Sequence, residues 1–423
     1  MQISRITAAL LLCGASWLAA AQPAGTTLTL QQAVRIAQEA HAGVRSRQAQ
    51  LAAADGERRE AAALLFNNPQ LSWEEARRRD GGGASVRERT IGLSQQFEVA
   101  GQQAHRRSAS AGATQALRAE IEEARRQAAV EAAKRFYEVL AAQRRIELER
   151  RSSDLFEHTS QLVARRRAAG EDTRLDANVA LLEAERARNA LAKAREQLVD
   201  ARAELAATLQ MPLSTLPELS GDLAAPAPAA RSAAVIEQFA ATSAALPRQQ
   251  ALQARVDAAR ARLALARAGR LPDVTVGVSS GREGPSDARE RVTTLSVSVP
   301  LPLFRRNDAE IGRATAELTQ AELERDQGAR DAEAQVRRLA ARLELQRARV
   351  ERLQRSMLGA SQDNQQLAAR SRQAGQIGAL EQLIVSRQAL DAERELIDAL
   401  ADYQTTRIEL ESAAGAPQEG TRP

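Results

Sequence analysis

Along the 423-residue chain the spacing of apolar positions changes period several times. Val336, Leu339, Leu343, Gln346, Val350, Leu353 and Met357 recur at alternating steps of three and four, and Leu191, Ala194, Leu198, Ala201 and Leu205 keep a similar seam. Both predict long helices packed in coiled-coil fashion. Four short runs follow a period of two instead: 69–75, 89–97, 272–280 and 291–301. Leu71 and Trp73 oppose Ser72 and Glu74; Ile91, Leu93 and Phe97 oppose Gly92 and Ser94. Val274, Val276 and Val278 oppose Thr275, Gly277 and Ser279; Leu295, Val297 and Val299 oppose Thr294, Ser296 and Ser298. Each run predicts a two-faced strand, apolar on one side and small or polar on the other. Polar loops with glycine, 77–86 and 281–290, join the runs into two hairpins.

The chain repeats itself. A shift of 205 carries Gly170 to Gly375, Leu175 to Leu380, Asp176 to Glu381, Val179 to Ile384 and Leu205 to Leu410. Shifts of 203 and 204 carry Asn68-Pro69 to Leu271-Pro272 and Thr90–Ser94 to Thr294–Ser298. A near-constant offset over so long a stretch indicates internal duplication. Each half predicts a helix (about 31–65, then 233–268), a hairpin (69–97, then 272–301) and a very long helix (about 103–168, then 307–372). A glycine turn (169–173, then 374–378) and a return helix (about 174–210, then 379–413) complete it. Proline is absent from 70 to 211 and from 303 to 416, as uninterrupted helix requires. The division is a leader at 1–21, a first repeat at 22–212, a Pro/Ala-rich linker at 213–232, a second repeat at 233–417 and a tail at 418–423.

The leader bears on the strands. Arg5, the apolar run Ile6–Leu18 and Ala19-Ala20-Ala21 form a secretory signal peptide, too short to span a bilayer. Cleavage after Ala21 removes Cys13, the single cysteine, so disulfides and thiol chemistry drop out. In an exported protein, strands of about nine residues with one apolar face suit an outer-membrane barrel better than two hairpins capping a bundle. Lipid leaves no backbone group unpaired, so such a sheet must close. Four strands cannot close. Two chains would give eight strands and a filled interior; three would give twelve and a lumen. The fold class is mainly α with a small β part: duplicated long helical hairpins, plus four strands per chain for a closed barrel, which the polar inward faces suit best as twelve strands from three chains. Leu71, Trp73, Ile91, Leu93, Val274, Val276, Leu295 and Val297 are the expected lipid-facing residues.

Composition narrows the chemistry. With 2% aromatic residues, several ordinary globular cores are excluded. There are 59 basic and 54 acidic residues, but Arg and Glu alternate along the chain rather than gathering on one face, so nucleic acid is not an expected partner. His41, His105 and His158 are scattered and lack metal-ligand spacing. We expect no enzyme, no cofactor and no structural metal.

The ordered unit of helix, hairpin, long helix, Gly turn and return helix, duplicated, resembles the TolC-like outer membrane factors over nearly the whole mature chain. NNPQLSWEE (67–75), LSQQFEVAGQQAHRR (93–107) and VPLPLFRRNDAEI (299–311) are similar to the cation-efflux, CzcC-like branch, although a Gly–Lys–Arg run usual there is Gly101-Gln102-Gln103 here. The resemblance implies a homotrimer in outer-membrane lipid, a periplasmic tunnel, a periplasmic adaptor (membrane fusion) protein and an inner-membrane pump of the resistance-nodulation-division (RND) type. It implies passive efflux, with heavy-metal cations favoured by the branch and drug efflux or type I secretion as alternatives. A soluble periplasmic coiled-coil scaffold is the rival of another class.

By the same resemblance, the turns at Gly170, Glu171, Asp172 and Thr173 and at Gly375, Gln376, Ile377 and Gly378 are adaptor-contact tips. Asp176 and Glu381, equivalent in the two halves, would set six carboxylates near the narrow end of a trimer. With Arg174 they are the candidate gate or cation filter, since acidic rings favour cations. The simpler alternative is that they complement helix N-termini.

Overall fold

The computed structural model describes residues 27–79, 85–223, 237, 239, 242–284 and 289–415. The signal peptide with Cys13, residues 224–232 of the expected linker and the chain from 416 lie outside them, as do the tips of both hairpin loops. Helices α1 (Leu30–Ala40) and α2 (Ala42–Ala61) lead into strands β1 (Gln70–Arg79) and β2 (Ser85–Phe97). The 67-residue α3 (Gln102–Ala168) follows, and α4 (Arg174–Thr208) returns. The second half holds α5 (Pro247–Ala268), β3 (Val274–Glu283), β4 (Glu290–Ser298), α6 (Asp308–Arg352), α7 (Leu358–Gln373) and α8 (Ala379–Ala413). At 1.5 Å per residue, α3 is about 100 Å long. Both return helices have 35 residues. Each long helix starts after a residue in the left-handed region, Gly101 at φ 76° and Asn307 at φ 61°.

Alanine makes the helical part possible. Ala124, Ala128, Ala129, Ala132 and Ala133 of α3 are buried around Phe136 and Tyr137 with Leu205, Val350 and Tyr403. Small side chains let backbones approach, and a few rings then fill the volume that remains. At Gly112 an added Cβ would lie 3.0–3.1 Å from Ala258, so α3 and α5 approach closely enough there that a larger residue would push them apart by a few tenths of an ångström. A second cluster nearer the tips joins Leu148, Phe156 and Val163 to Ala180, Ala184, Leu383 and Leu390. Charges tie the layers together across it. Arg394 of α8 donates two 2.7 Å hydrogen bonds to the buried carboxylate of Glu149 in α3.

Several boundaries differ from the sequence expectation. The first helix divides at His41, whose backbone is extended and whose Nδ1 accepts from the Gly43 N–H at 3.2 Å, and it ends at Ala61 rather than 65. Residues 237, 239 and 242 are helical, and the helix expected over 233–268 is broken by a tight turn at Ser243–Ala245; α5 then starts at Pro247, which takes the first helical position as proline prefers. Residues 213–223 are not a loose linker: Leu219 bridges to Leu28, and Leu216 and Leu223 are buried in the first core. The second long helix is interrupted by a π-helical turn at Leu353–Met357. The widened turn shifts the heptad phase, so Val336, Leu339, Val350 and Leu353 are buried while Met357 is exposed.

The strands form one antiparallel sheet in the order β1-β2-β3-β4, the two hairpins meeting through β2 and β3. All strands outrun or shift from their expected limits. β1 continues to Arg79 and β2 begins at Ser85, so both ends of the expected loop 77–86 are hydrogen-bonded ladder. β3 begins at Val274, not 272, and extends to Glu283; β4 runs from Glu290 and stops at Ser298, before Pro300.

Candidate pore wall and helical tips

The ladder register sorts the strand residues into two faces. Leu71 pairs with Leu93, Leu93 with Val278 and Val278 with Leu295; Trp73 pairs with Ile91, and Val276 with Val297. Val274 shares that parity opposite Phe97. All eight residues singled out for the apolar face therefore stand on one side of the sheet. Leu71 is 76% exposed, Trp73 64%, Leu295 71% and Val297 64%, so none of the described residues covers this part of the face.

The opposite face is small and polar. Ser72, Gly92, Ser279 and Thr294 line up across all four strands. It is also crowded. A Cβ at Gly92 would stand 2.6 Å from Ser72 Oγ, at Gly277 2.7 Å from Ser296 Oγ, and at Gly281 2.5 Å from Thr90 Oγ1. Glycine beside serine or threonine is what a concave, tightly curled face tolerates. Higher on this face come Glu74, Glu88, Glu283 and Glu290, with Arg78 the one cation by register, 3.5 Å from Glu88. The sequence reading missed most of these charges because it ended the strands too soon. The signal was available, since the alternation simply continues with charged residues.

Below the sheet, side chains buckle strand to helix. Gln96 and Gln102 donate to Asp273 at 2.8 and 3.1 Å, and Arg106 bridges to Glu98 while lying 3.6 Å from the Phe66 ring centroid. Asn307 Nδ2 donates to the Ala266 carbonyl at 2.8 Å, occupying an orphan acceptor at the end of α5.

At the far end, Gly170 (φ 84°) and Gly375 (φ 72°) end their helices in the left-handed region. Behind each glycine a backbone bond closes the turn, Glu171 N–H to Arg166 O at 2.9 Å and Gln376 N–H to Ser371 O at 2.8 Å. Thr173 caps α4 reciprocally with Asp176: the Asp176 N–H donates to Thr173 Oγ1, and Asp176 Oδ2 accepts from both the Thr173 hydroxyl and N–H. The Thr173 hydroxyl and backbone N–H hold the Asp176 carboxyl below the usual carboxylate range, with Arg372 adding to them. Glu381 accepts from the Gly378 N–H at 2.8 Å. Each carboxylate thus closes its own helix end, and Arg174 is exposed beside them.

One contact went unforeseen. Arg372 reaches the Ile377 carbonyl at 3.3 Å and Asp172 of the other tip at 3.4 Å, and Asp172 also meets Arg166 at 3.3 Å. The side chain of Asp172 is 8% exposed. The two tips are therefore clasped through one carboxylate. Only the basic character of each last helical turn hinted at this, because the pairing joins residues 200 positions apart.

Elsewhere, among the described residues, no group of three metal-ligating side chains converges, and no helix is long and apolar enough to cross a membrane. His41 is spent on its helix cap, and His158 is exposed.

Residues 241–416 match the family model described as outer membrane efflux protein. Over that stretch, which makes up most of the second repeat, the chain is similar to the outer membrane efflux proteins. The cobalt-zinc-cadmium resistance protein CzcC of Cupriavidus metallidurans is 26% identical over 346 residues, covering 81% of this chain and 78% of the relative. Among solved structures, the CmeC outer membrane channel of Campylobacter jejuni aligns with a TM-score of 0.77 at 12% identity, covering 100% of this chain and 95% of that one. A CusC channel structure aligns at 0.75 and 20% identity, covering 92% of each. At such identities the likeness establishes the fold.

Proposed function

We propose that three copies close their sheets into a twelve-stranded barrel and their helices into a tunnel, conducting substrates passively to the exterior. The observation carrying this reading is the sheet itself. It has four strands, two free edges, a bare apolar face and a crowded polar one, which lipid tolerates only when the sheet is closed. The helices also need neighbours: Leu181, Leu182, Leu323, Leu345 and Ile384 are exposed along them, an apolar surface that a protomer interface would cover.

The tips are the docking points for a periplasmic adaptor, and an inner-membrane RND pump supplies the energy. Opening separates the tips and breaks the Arg372–Asp172 clasp. Asp176, Glu381 and Arg174 sit close enough to take part, although capping already occupies the two carboxylates. Heavy-metal cations are the favoured cargo. The CzcC relative supports this, as does the pore-side surplus of glutamate near the sheet rim, where acidic rings favour cations.

Deleting the gene and measuring susceptibility across metals and drugs tests the cargo. Sensitivity to cobalt, zinc or cadmium alone supports metal efflux; sensitivity to organic compounds alone removes it. Extraction from outer membranes only with detergent, as an oligomer, supports the barrel, whereas a soluble monomer would end it.

A further inference from the structure

The apolar face of the sheet does not stay apolar to the rim. Above Trp73 and Ile91 the same register positions become Arg77, Arg79, Arg87, Arg89, Arg282 and Arg291, all exposed. Three arginine pairs stand directly opposite one another: Arg77 with Arg87, Arg89 with Arg282, and Arg282 with Arg291. Like charges at cross-strand positions destabilise a sheet. Among the described residues, one acid shares the face and only Arg89 meets it, Glu75 at 3.8 Å. Glutamate is abundant on this sheet but occupies the other parity. Ordinary solvated strand ends would mix the signs on both faces; here they are sorted.

Arg87, Arg89, Arg282 and Arg291 flank a shallow groove lined by Ile91, Leu93 and Val278, with Trp73 at its side. Arginine forks match phosphate oxygens in pairs, and indole favours the level where acyl chain gives way to headgroup. A ligand suited to this surface has acyl chains against the apolar rows and two or more phosphates one or two rows higher. We infer that the outward rim binds the phosphorylated glycolipid of the outer leaflet, the arginines neutralising its headgroup phosphates. The lipid then supplies the missing counter-charge and fixes the depth of the barrel in the membrane. This inference rests on the proposed barrel, which sets the apolar face outward.

The purified detergent-solubilised oligomer is titrated with bisphosphorylated lipopolysaccharide, with the same lipopolysaccharide after phosphate removal, and with inorganic phosphate. Saturable binding of the phosphorylated form is expected. Affinity should fall roughly 100-fold on dephosphorylation and by a similar factor in R89Q/R282Q/R291Q, from about a fivefold contribution per basic group at an anionic surface. R89K/R282K/R291K should retain most of the binding, and inorganic phosphate at equal concentration should not compete. Equal affinity for the dephosphorylated form overturns the inference, as does an unchanged glutamine variant. Competition by inorganic phosphate would reduce the surface to a general anion site and also overturn it. The dephosphorylated arm uses the wild-type protein, so it stands even if a variant misassembles. An oligomeric wild type in the outer membrane that ignores the lipid refutes only this inference; absence of that oligomer refutes the barrel.

Discussion

The helical part and the sheet of this chain solve opposite problems. The helices are largely finished within one copy, with alanine seams, a buried Arg394–Glu149 pair and reciprocal caps satisfying their groups locally. The sheet has no core at all, since its strands are paired laterally but neither face is covered and both edges end in open ladder. Stability in the first region is intramolecular; in the second, on the proposed barrel, it would come from membrane and further copies. Substitutions should therefore read out differently in the two, in folding of the chain for the helices and in assembly for the sheet.

The sharpest break is L295R/V297R. Arginine on a lipid face costs about 2–4 kcal/mol per site near the midplane, so oligomer in the outer membrane should vanish. T294R, on the other parity, should assemble and lower conductance in planar bilayers; equal loss for both would erase the distinction between faces. Among the helices, E149A leaves Arg394 without its buried partner. It should lower unfolding stability by about 3 kcal/mol, measured by denaturant melts of the detergent-solubilised protein.

Glycine gives a paired comparison. G277V drives a side chain against Ser296 and should cost about 1–3 kcal/mol, read as a lower dissociation temperature of the oligomer. G312A in α6 meets open space and should stabilise by about 0.5–1 kcal/mol. At the tips, R372A should raise single-channel open probability while leaving the melting temperature within a few degrees.

The smallest effect is T173A, which should cost about 1 kcal/mol through the lost cap. Because the folded Asp176 value is depressed, its contribution is present at neutral pH. It disappears only as pH falls through that lowered value, below the ordinary 3.8. Between pH 5 and 8 the T173A increment should be constant; a change across that window would contradict the capping geometry.

Much of this was legible beforehand. Heptads at Val336–Leu353 are a direct consequence of burial on one side, alternation in all four runs marks a sheet with two unlike faces, and the glycine turns stand at the helix ends where the 205-residue offset put them. The π turn was not legible, because Met357 suits a heptad position and nothing local marks the extra residue. Nor was the clasp, since Arg372 and Asp172 are set together by packing of two hairpins rather than by spacing. The strand ends were missed for a simpler reason: RRRDGGGASV has loop composition, and only the ladder shows that its flanking arginines and serine are paired.

The π turn leaves the two hairpins mechanically unequal. α3 runs for 67 residues with no such interruption, whereas its counterpart carries a wider coil at Leu353–Met357, about 16 residues short of its tip. Bending concentrates where the regular ladder is already broken. Spreading of a trimer's tips would then flex three of the six hairpins at a fixed height while the other three swing as stiff levers.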